Sequence, residues 1–200
     1  MDLYYATGNL GKFHSLVREL EPKGIKVVQR GDLEILEPRK DDVQEIAKVK
    51  VREAYRILEK PVVANDVGFY ISSLRGYPGA FVHLALDKIE VDGILKLVHD
   101  KERECEFREC IAYLDEKLEE PKCFTSHDKG RLAYEPRGTI KKYHKSDLAL
   151  IFIPDGSEKT LAEMTHDEFI AWRKESREES SPSRLFTNWF INHWSLDTTP

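Results

Sequence analysis

Three sets of residues have the types and spacing for phosphate chemistry. Thr7-Gly8-Asn9-Leu10-Gly11-Lys12 separates a short apolar run from an amphipathic stretch, the sequence form of a strand-to-helix turn. At such a turn the unpaired backbone N–H groups and the helix dipole favour an anion. Thr7 and Asn9 add donors and Lys12 adds a positive charge. The segment is neither a Walker A loop nor a dinucleotide fingerprint, and the same pattern also serves as a purely structural turn. The second set is acidic. Glu37 lies in a loop after the second expected strand, and Asp66 lies at the end of the strand Val62-Val63-Ala64. Two carboxylates at one sheet edge can hold Mg²⁺, which takes few protein oxygens and keeps waters for substrate phosphates. Asn65 offers a carbonyl oxygen without a charge, and the same acids also fit a solvated surface. Lys50 is the third. It borders the apolar stripe of a long helix, one turn from Ile46 and Ala54, and either snorkels into water or contacts a phosphate.

Other chemistries lack their residues. His14, His83, His99, His127, His144, His166 and His193 show no metal-ligand spacing, and no serine occupies a G-x-S-x-G elbow. Zinc and nucleophilic mechanisms are unsupported.

Positioning these residues requires strands and helices in alternation. The pattern predicts a strand over Asp2–Ala6 and a helix over Lys12–Leu20, with Phe13, Leu16, Val17 and Leu20 on one side. A second strand spans Ile25–Gln29. Asp41 or Asp42 caps a helix running to about Glu59, with Glu45 placed as in a capping box and Val43, Ala47, Val51, Ala54 and Leu58 as its stripe. After the strand at Val62–Ala64, a helix is expected near Val91–His99, strands over Glu104–Leu114 and Pro121–Ser126, and another over Leu148–Ile153. The C-terminal third is helical, with a solvated loop at Lys174–Ser183. These elements predict a single α/β domain around a mixed sheet, with residues 1–194 as the domain and 195–200 as a polar tail.

Composition narrows the partners. Two hundred residues with 40% hydrophobic content and 34% charged residues of both signs are enough for one packed core. Apolar runs are strand-sized, which predicts no membrane span, and the opening Met1-Asp2-Leu3-Tyr4-Tyr5 has no secretory pattern, so a cytoplasmic protein is expected. Cys105, Cys110 and Cys123 form no C-x-x-C pair and are expected to be reduced packing residues. A net charge of −5 gives no field for nucleic acid, even though Lys141-Lys142-Tyr143-His144-Lys145 interleaves cations with an aromatic ring. An anionic substrate must be met by local cations, backbone N–H groups or a metal.

Taken together, the motifs resemble the inosine triphosphate pyrophosphatase family, whose members hydrolyse non-standard purine nucleoside triphosphates. Thr7-Gly8-Asn9-x-x-Lys12 is similar to its T-G-N-x-x-K triphosphate loop, and Val63-Ala64-Asn65-Asp66-Val67-Gly68-Phe69 to its V-x-E/D-D-S-G-L segment. Leu74-Arg75-Gly76-Tyr77-Pro78-Gly79-Ala80, Pro136-Arg137-Gly138 and Phe152-Ile153-Pro154-Asp155-Gly156-x-x-Lys159-Thr160-x-Ala162-Glu163-Met164 follow in the family's order. The resemblance implies a central mixed, strongly twisted sheet flanked by helices, in two lobes with a cleft between them, and a homodimer. It implies Mg²⁺-dependent conversion of ITP, dITP or XTP to the monophosphate and pyrophosphate. By position, Thr7, Gly8, Asn9, Lys12 and Lys50 would bind the triphosphate, Glu37, Asn65 and Asp66 the metal, and Asp66 would be the general base.

The departures concern charge and base recognition. Asn65 stands where the family usually has Glu or Asp, so one negative charge is missing. The base-clamping F-G-Y/W-D-P segment is replaced by Thr139–Leu150, in which Tyr143 or His144 is placed to stack on a base and Asp147 to accept a hydrogen bond. The family's S-H-R is absent. Its nearest counterpart is Ser181-Pro182-Ser183-Arg184, which gives Arg184 the base-reading role. Two alternatives to the leading reading remain: a catalytically weak nucleotide-binding or sensing protein on this fold, and a pyrophosphatase of changed base specificity. Phe186, Trp189, Phe190 and His193 form an amphipathic stripe expected to pack on the sheet, an interface being the other use of such aromatics.

Overall fold

The computed structural model describes residues 1–36, 38–177 and 181–195. In chain order these form β1 (Asp2–Ala6), α1 (Leu10–Leu20), β2 (Lys26–Gln29), α2 (Val43–Leu58), β3 (Val62–Ile71), β4 (Pro78–Gly79) and α3 (Val82–Leu97). There follow β5 (Glu104–Leu114), β6 (Lys122–Leu132), β7 (Phe152–Pro154), α4 (His166–Arg177) and α5 (Pro182–Ser195). Among the described residues seven strands make one mixed sheet in the order β2-β1-β3-β5-β6-β7, with β4 paired to β3. β1 runs parallel to β2 and β3, and the β3–β4 and β6–β7 pairs are antiparallel. This is the single α/β domain with a mixed, helix-flanked sheet that the pattern of elements predicts. Of the polar tail expected at 195–200, Ser195 ends helix α5 and residues 196–200 lie outside the described residues.

The chain divides into two compact units. The first takes Met1–Asp66, Glu109–Ser126 and the C-terminal helix α5. Alternation along its strands assigns side chains to faces. Leu3, Tyr5, Val63, Ile111 and Tyr113 pack with Leu16 and Leu20 of α1 and Phe186 and Phe190 of α5. The residues between them, Ala6, Val62 and Ala64, are equally buried and face the other side, where α2 buries Val43, Ile46, Ala47, Val51 and Ala54. Both faces are covered, so the start of β3, Val62-Val63-Ala64, reads as a continuous apolar run. The aromatics of α5 are therefore core residues: Phe186 and Phe190 are fully buried. A polar clasp fixes this helix. Asp115, fully buried, accepts from the Tyr113 hydroxyl at 2.8 Å and the Lys117 N–H at 3.1 Å, and lies 3.1 Å from His193 Nε2. Trp194 Nε1 donates to the Tyr113 hydroxyl at 3.2 Å. A buried carboxylate is tolerated only with such partners.

The second unit takes Val67–Arg108 and the described residues from His127 to 177. Its centre is the ring cluster Phe69, Phe107 and Phe152, with centroids 4.7 to 6.0 Å apart.

Several elements differ from their sequence-based bounds. α1 begins at Leu10 because Asn9 caps it, two residues before the expected Lys12. β3 continues past Ala64 to Ile71, since Phe69, Tyr70 and Ile71 are buried too; Asn65 and Asp66 are inside the strand. α3 starts at Val82 rather than near Val91, and its break at Glu90 (φ 54°, ψ −174°) hides the helical period. The apolar run at Leu148–Ile153 is not one strand. Asp147–Leu150 is a 3₁₀ turn started by the Ser146 hydroxyl accepting from Leu148 N–H, and only Phe152–Pro154 is extended. Burial dictates apolar residues in either conformation, so the run alone does not choose. α4 carries on to Arg177, shortening the expected loop at Lys174–Ser183, of which residues 178–180 lie outside the described set. Cys105 and Cys110 are buried and Cys123 half-buried, all as free thiols. Among the described residues no helix is long and apolar enough to cross a membrane.

Candidate active site

The turn after β1 is built by its own side chains. Asn9 Oδ1 accepts from the Lys12 N–H at 3.0 Å, and Thr7 Oγ1 accepts from the Asn9 N–H at 3.1 Å. Asn9 is thereby the N-cap of α1, with extended backbone at φ −86° and ψ 108°. Its oxygen is committed to the cap, leaving the amide NH₂ of this exposed residue as a donor. Leu10 and Gly11 carry first-turn N–H groups that no helix satisfies internally. Gly8, Asn9, Leu10 and Gly11 are exposed, so this anion-favouring turn is open.

The next loop supports it. Gln29 Nε2 donates to the Thr7 carbonyl at 3.0 Å, and Arg30 N–H donates to the Tyr5 carbonyl at 2.8 Å. A methyl group on Gly31 would stand 2.9 Å from Gly8 Cα and 3.1 Å from the Thr7 carbonyl oxygen, so glycine there permits close backbone approach. Gln29 and Gly31 have no motif of their own, and only the β1–β2 register brings them to the turn. Asn9→Ala is expected to remove about 1 kcal/mol of stability through the lost cap. The melting temperature would then fall by roughly 2–4 °C. Unchanged thermal unfolding would show that the cap contributes nothing.

Lys50 and Asp66 meet on the α2 face. Lys50 Nζ lies 3.5 Å from Asp66 Oδ1, and both side chains are 15% exposed. The lysine does not end in open solvent, as simple snorkelling would have it, but beside a carboxylate. Asn65, the neighbouring residue on the strand, is only 4% exposed and donates from Nδ2 to Glu109 Oε1 at 2.9 Å. Glu109 on β5 was not singled out from the sequence. It reads there as one polar position in an alternating strand, and only the sheet places it beside Asn65.

These groups share one edge. β1 ends at Ala6, level with Ala64, whereas β3 continues to Ile71. Thr7–Lys12, Asn65 and Asp66 therefore gather at the carboxyl ends of the parallel strands, the usual place for ligands in open α/β sheets. Glu37 lies outside the described residues. Arg184 is in the first turn of α5, where its N–H bonds to the Ser181 carbonyl and hydroxyl at 3.0 and 3.3 Å. Asp147 opens the 3₁₀ turn of the second unit and is exposed. Among the described residues no three His, Cys, Asp or Glu side chains form a metal cluster.

In the second unit, Tyr143 packs 4.9 Å from Phe169 and 4.6 Å from His144, ring centre to ring centre. Its ring is a packing element. Burial and the nearby Lys141 ammonium hold the His144 imidazole below its ordinary pKa, which favours the neutral ring.

The family model described as the Ham1 family matches residues 3–176. The chain belongs to the Ham1 family. Among relatives of this Ham1 protein, the dITP/XTP pyrophosphatase of Methanopyrus kandleri is 35% identical and aligns over 96% of this chain and 98% of its own. That of Thermococcus kodakarensis is 31% identical over 94% and 97%. The solved structure of the Staphylococcus aureus Ham1 protein superposes with a TM-score of 0.81 at 20% identity, covering 96% of this chain and all of its own, which establishes the shared fold. The resemblance carried by the motifs is thus membership. Arg137-Gly138 and Lys159-Thr160 gain a structural meaning in this Ham1 chain: Thr160 Oγ1 donates to the Arg137 carbonyl at 3.1 Å, joining the two motifs.

Proposed function

We propose that the protein hydrolyses non-canonical purine nucleoside triphosphates (ITP, dITP and XTP) to the monophosphate and pyrophosphate, with Mg²⁺. The observation that carries this reading is the open, capped turn Thr7–Lys12 at the same strand ends as the Lys50–Asp66 pair. Two relatives aligned over nearly their whole length are named dITP/XTP pyrophosphatases.

The chain's residues divide the work. The N–H groups of the turn, with Thr7, Gly8, Asn9 and Lys12, bind the triphosphate oxygens and fix its direction. Lys50 neutralises phosphate charge from the α2 face. Asp66 accepts a proton from water and orients it for attack at the α-phosphorus, with pyrophosphate leaving in line. No covalent intermediate is needed. Glu37, Asn65 and Asp66 are assigned to the metal by position, and of these the Asn65 amide oxygen, buried with no hydrogen-bond partner, is a hard donor of the type a divalent cation takes. When bound, Mg²⁺ supplies charge neutralisation at the phosphate oxygens and the leaving group. Arg184 and Asp147 are assigned to the base. The protein is further proposed to be cytoplasmic and homodimeric.

The test is release of pyrophosphate and monophosphate from standard purine, deaminated purine and pyrimidine triphosphates, with and without Mg²⁺. Selective Mg²⁺-dependent turnover of the deaminated purines is expected. Turnover of another base would replace the specificity part of the reading. No turnover with retained nucleotide binding would favour the sensing protein, for which the neutral side chain at Asn65 is the structural argument.

A further inference from the structure

Two of the cysteines share one face of adjacent strands. β5 and β6 are neighbours in the sheet, and their contacts run in opposite directions: the Leu132 N–H donates to the Arg103 carbonyl at 2.9 Å, while His127 Nδ1 lies 2.9 Å from Glu106 Oε2. Cys110 stands four residues on from Glu106 and Cys123 four residues back from His127, so both follow that pair on its own side of the sheet. Ile111, Tyr113 and Phe124 pack into the core with α1 and α5, which leaves the two cysteines on the face that α2 covers. There the thiols hydrogen-bond to each other. Residues opposed across antiparallel strands have Cα atoms about 4.5–5.5 Å apart, within the span that a disulfide closes.

The two sulfurs are not equivalent. Cys110 is fully buried and Cys123 half-buried. The Cys123 sulfur also lies 4.0 Å from the Pro121 carbonyl oxygen, and the charges that act on it from α2 are Lys48 and Arg52, against Glu45. The Cys110 hydrogen bond, and with it the Lys48 charge, holds the Cys123 thiol below its ordinary pKa against the cost of burial. The same hydrogen bond and then burial push Cys110 up, so Cys123 loses its proton first. A partly exposed thiolate with a second thiol in reach is the arrangement of an oxidant-sensitive cysteine. Cys105 has none of it: it is 4% exposed in the core of the second unit, and burial pushes its thiol up.

We propose that Cys123 and Cys110 form a peroxide-sensitive dithiol, in which Cys123 is oxidised and Cys110 closes an intramolecular disulfide between β6 and β5. The Cys123 thiolate takes one oxygen of hydrogen peroxide, the O–O bond breaks, and with one proton the other oxygen leaves as water. The Cys110 sulfur then attacks the Cys123 sulfenic acid. An S–S bond forms, the S–O bond breaks, and the hydroxyl departs with the Cys110 proton as a second water. The two thiols give up two electrons and two protons, and the peroxide is reduced. This chemistry is independent of the triphosphate reading, and a reduced cell interior would return the pair to thiols.

The experiment exposes the full-length protein, freed of reductant, to hydrogen peroxide and counts the remaining thiols by alkylation in denaturant, with intact mass and peptide mapping. A monomer lighter by two hydrogens, a linked Cys110–Cys123 peptide and Cys105 still alkylated are expected, with dithiothreitol restoring every thiol. Cys110→Ala is expected to stop at a Cys123 sulfenic acid that dimedone traps. In the native protein at neutral pH, iodoacetamide should modify Cys123 at least about tenfold faster than Cys105. The bridge and the alkylation rates are read on the unaltered chain, so they do not depend on the variant's folding. Thiols left unoxidised by peroxide overturn the inference. So does a bridge between two copies of the chain, or oxidation of Cys123 to the sulfinic acid with Cys110 still free.

Discussion

Asp66→Asn is expected to lower kcat on the preferred triphosphate by about 10²- to 10⁴-fold, the range contributed by a positioned general base. The substitution preserves shape and removes the proton acceptor. It also removes a negative charge 3.5 Å from Lys50, in a setting where both side chains are 15% exposed. Affinity for a non-hydrolysable triphosphate, measured without Mg²⁺, should therefore hold or improve, because one repulsive charge near the phosphates is gone. The loss thus belongs in kcat and not in binding. Single-turnover hydrolysis together with analogue titration separates the two. A kcat within a few-fold of the starting protein would remove Asp66 from the role of base, whatever the nucleotide affinity.

The largest effect on stability is expected at Gly138. Its backbone lies at φ +84°, and a Cβ there would stand 2.5 Å from the Glu163 backbone nitrogen. The obstacle is the 162–163 backbone and not a flexible side-chain tip that can move aside. Left-handed strain costs about 1–3 kcal/mol and overpacking a similar amount. Gly138→Ala should therefore destabilise by about 3 kcal/mol or more and lower the melting temperature by roughly 6–12 °C. Gly156 is the control. It shares a positive φ of +79°, yet a Cβ there meets nothing within 4 Å. Gly156→Ala should cost only the conformational part, about 1 kcal/mol. Equal melting shifts in the two variants would mean that contact with the 162–163 backbone is not what demands glycine at 138. The same backbone is held locally, since Thr139 N–H bonds to the Ala162 carbonyl at 3.3 Å.

Local chemistry was legible wherever neighbours in sequence are neighbours in space. The Thr7–Lys12 turn, the Asp42 cap and the apolar stripe of α2 follow from side chains reaching two to four residues along the chain. The order of the motifs was sufficient to reach the family that the comparisons show. Even the burial of Phe186 and Phe190 followed from helical spacing on α5.

What the tertiary structure decided are relations between strands and across packed faces. Nothing in the pattern around Glu109 tells it from other polar positions of β5, because register sets which residue opposes it and register is fixed by the whole sheet. Lys50 had two readings until α2 packed on β3 and set its ammonium against Asp66. Tyr143 had the type of a base-stacking residue, but its ring is spent on Phe169 and His144. The apolar run at Leu148–Ile153 satisfied strand and helix patterns alike, and the Ser146 cap settled the first half. The sequence by itself determined which groups the protein has for phosphate chemistry and the order in which the chain delivers them. Only the folded sheet decided which of them share a face, because one residue's shift in pairing sends a side chain to the opposite side.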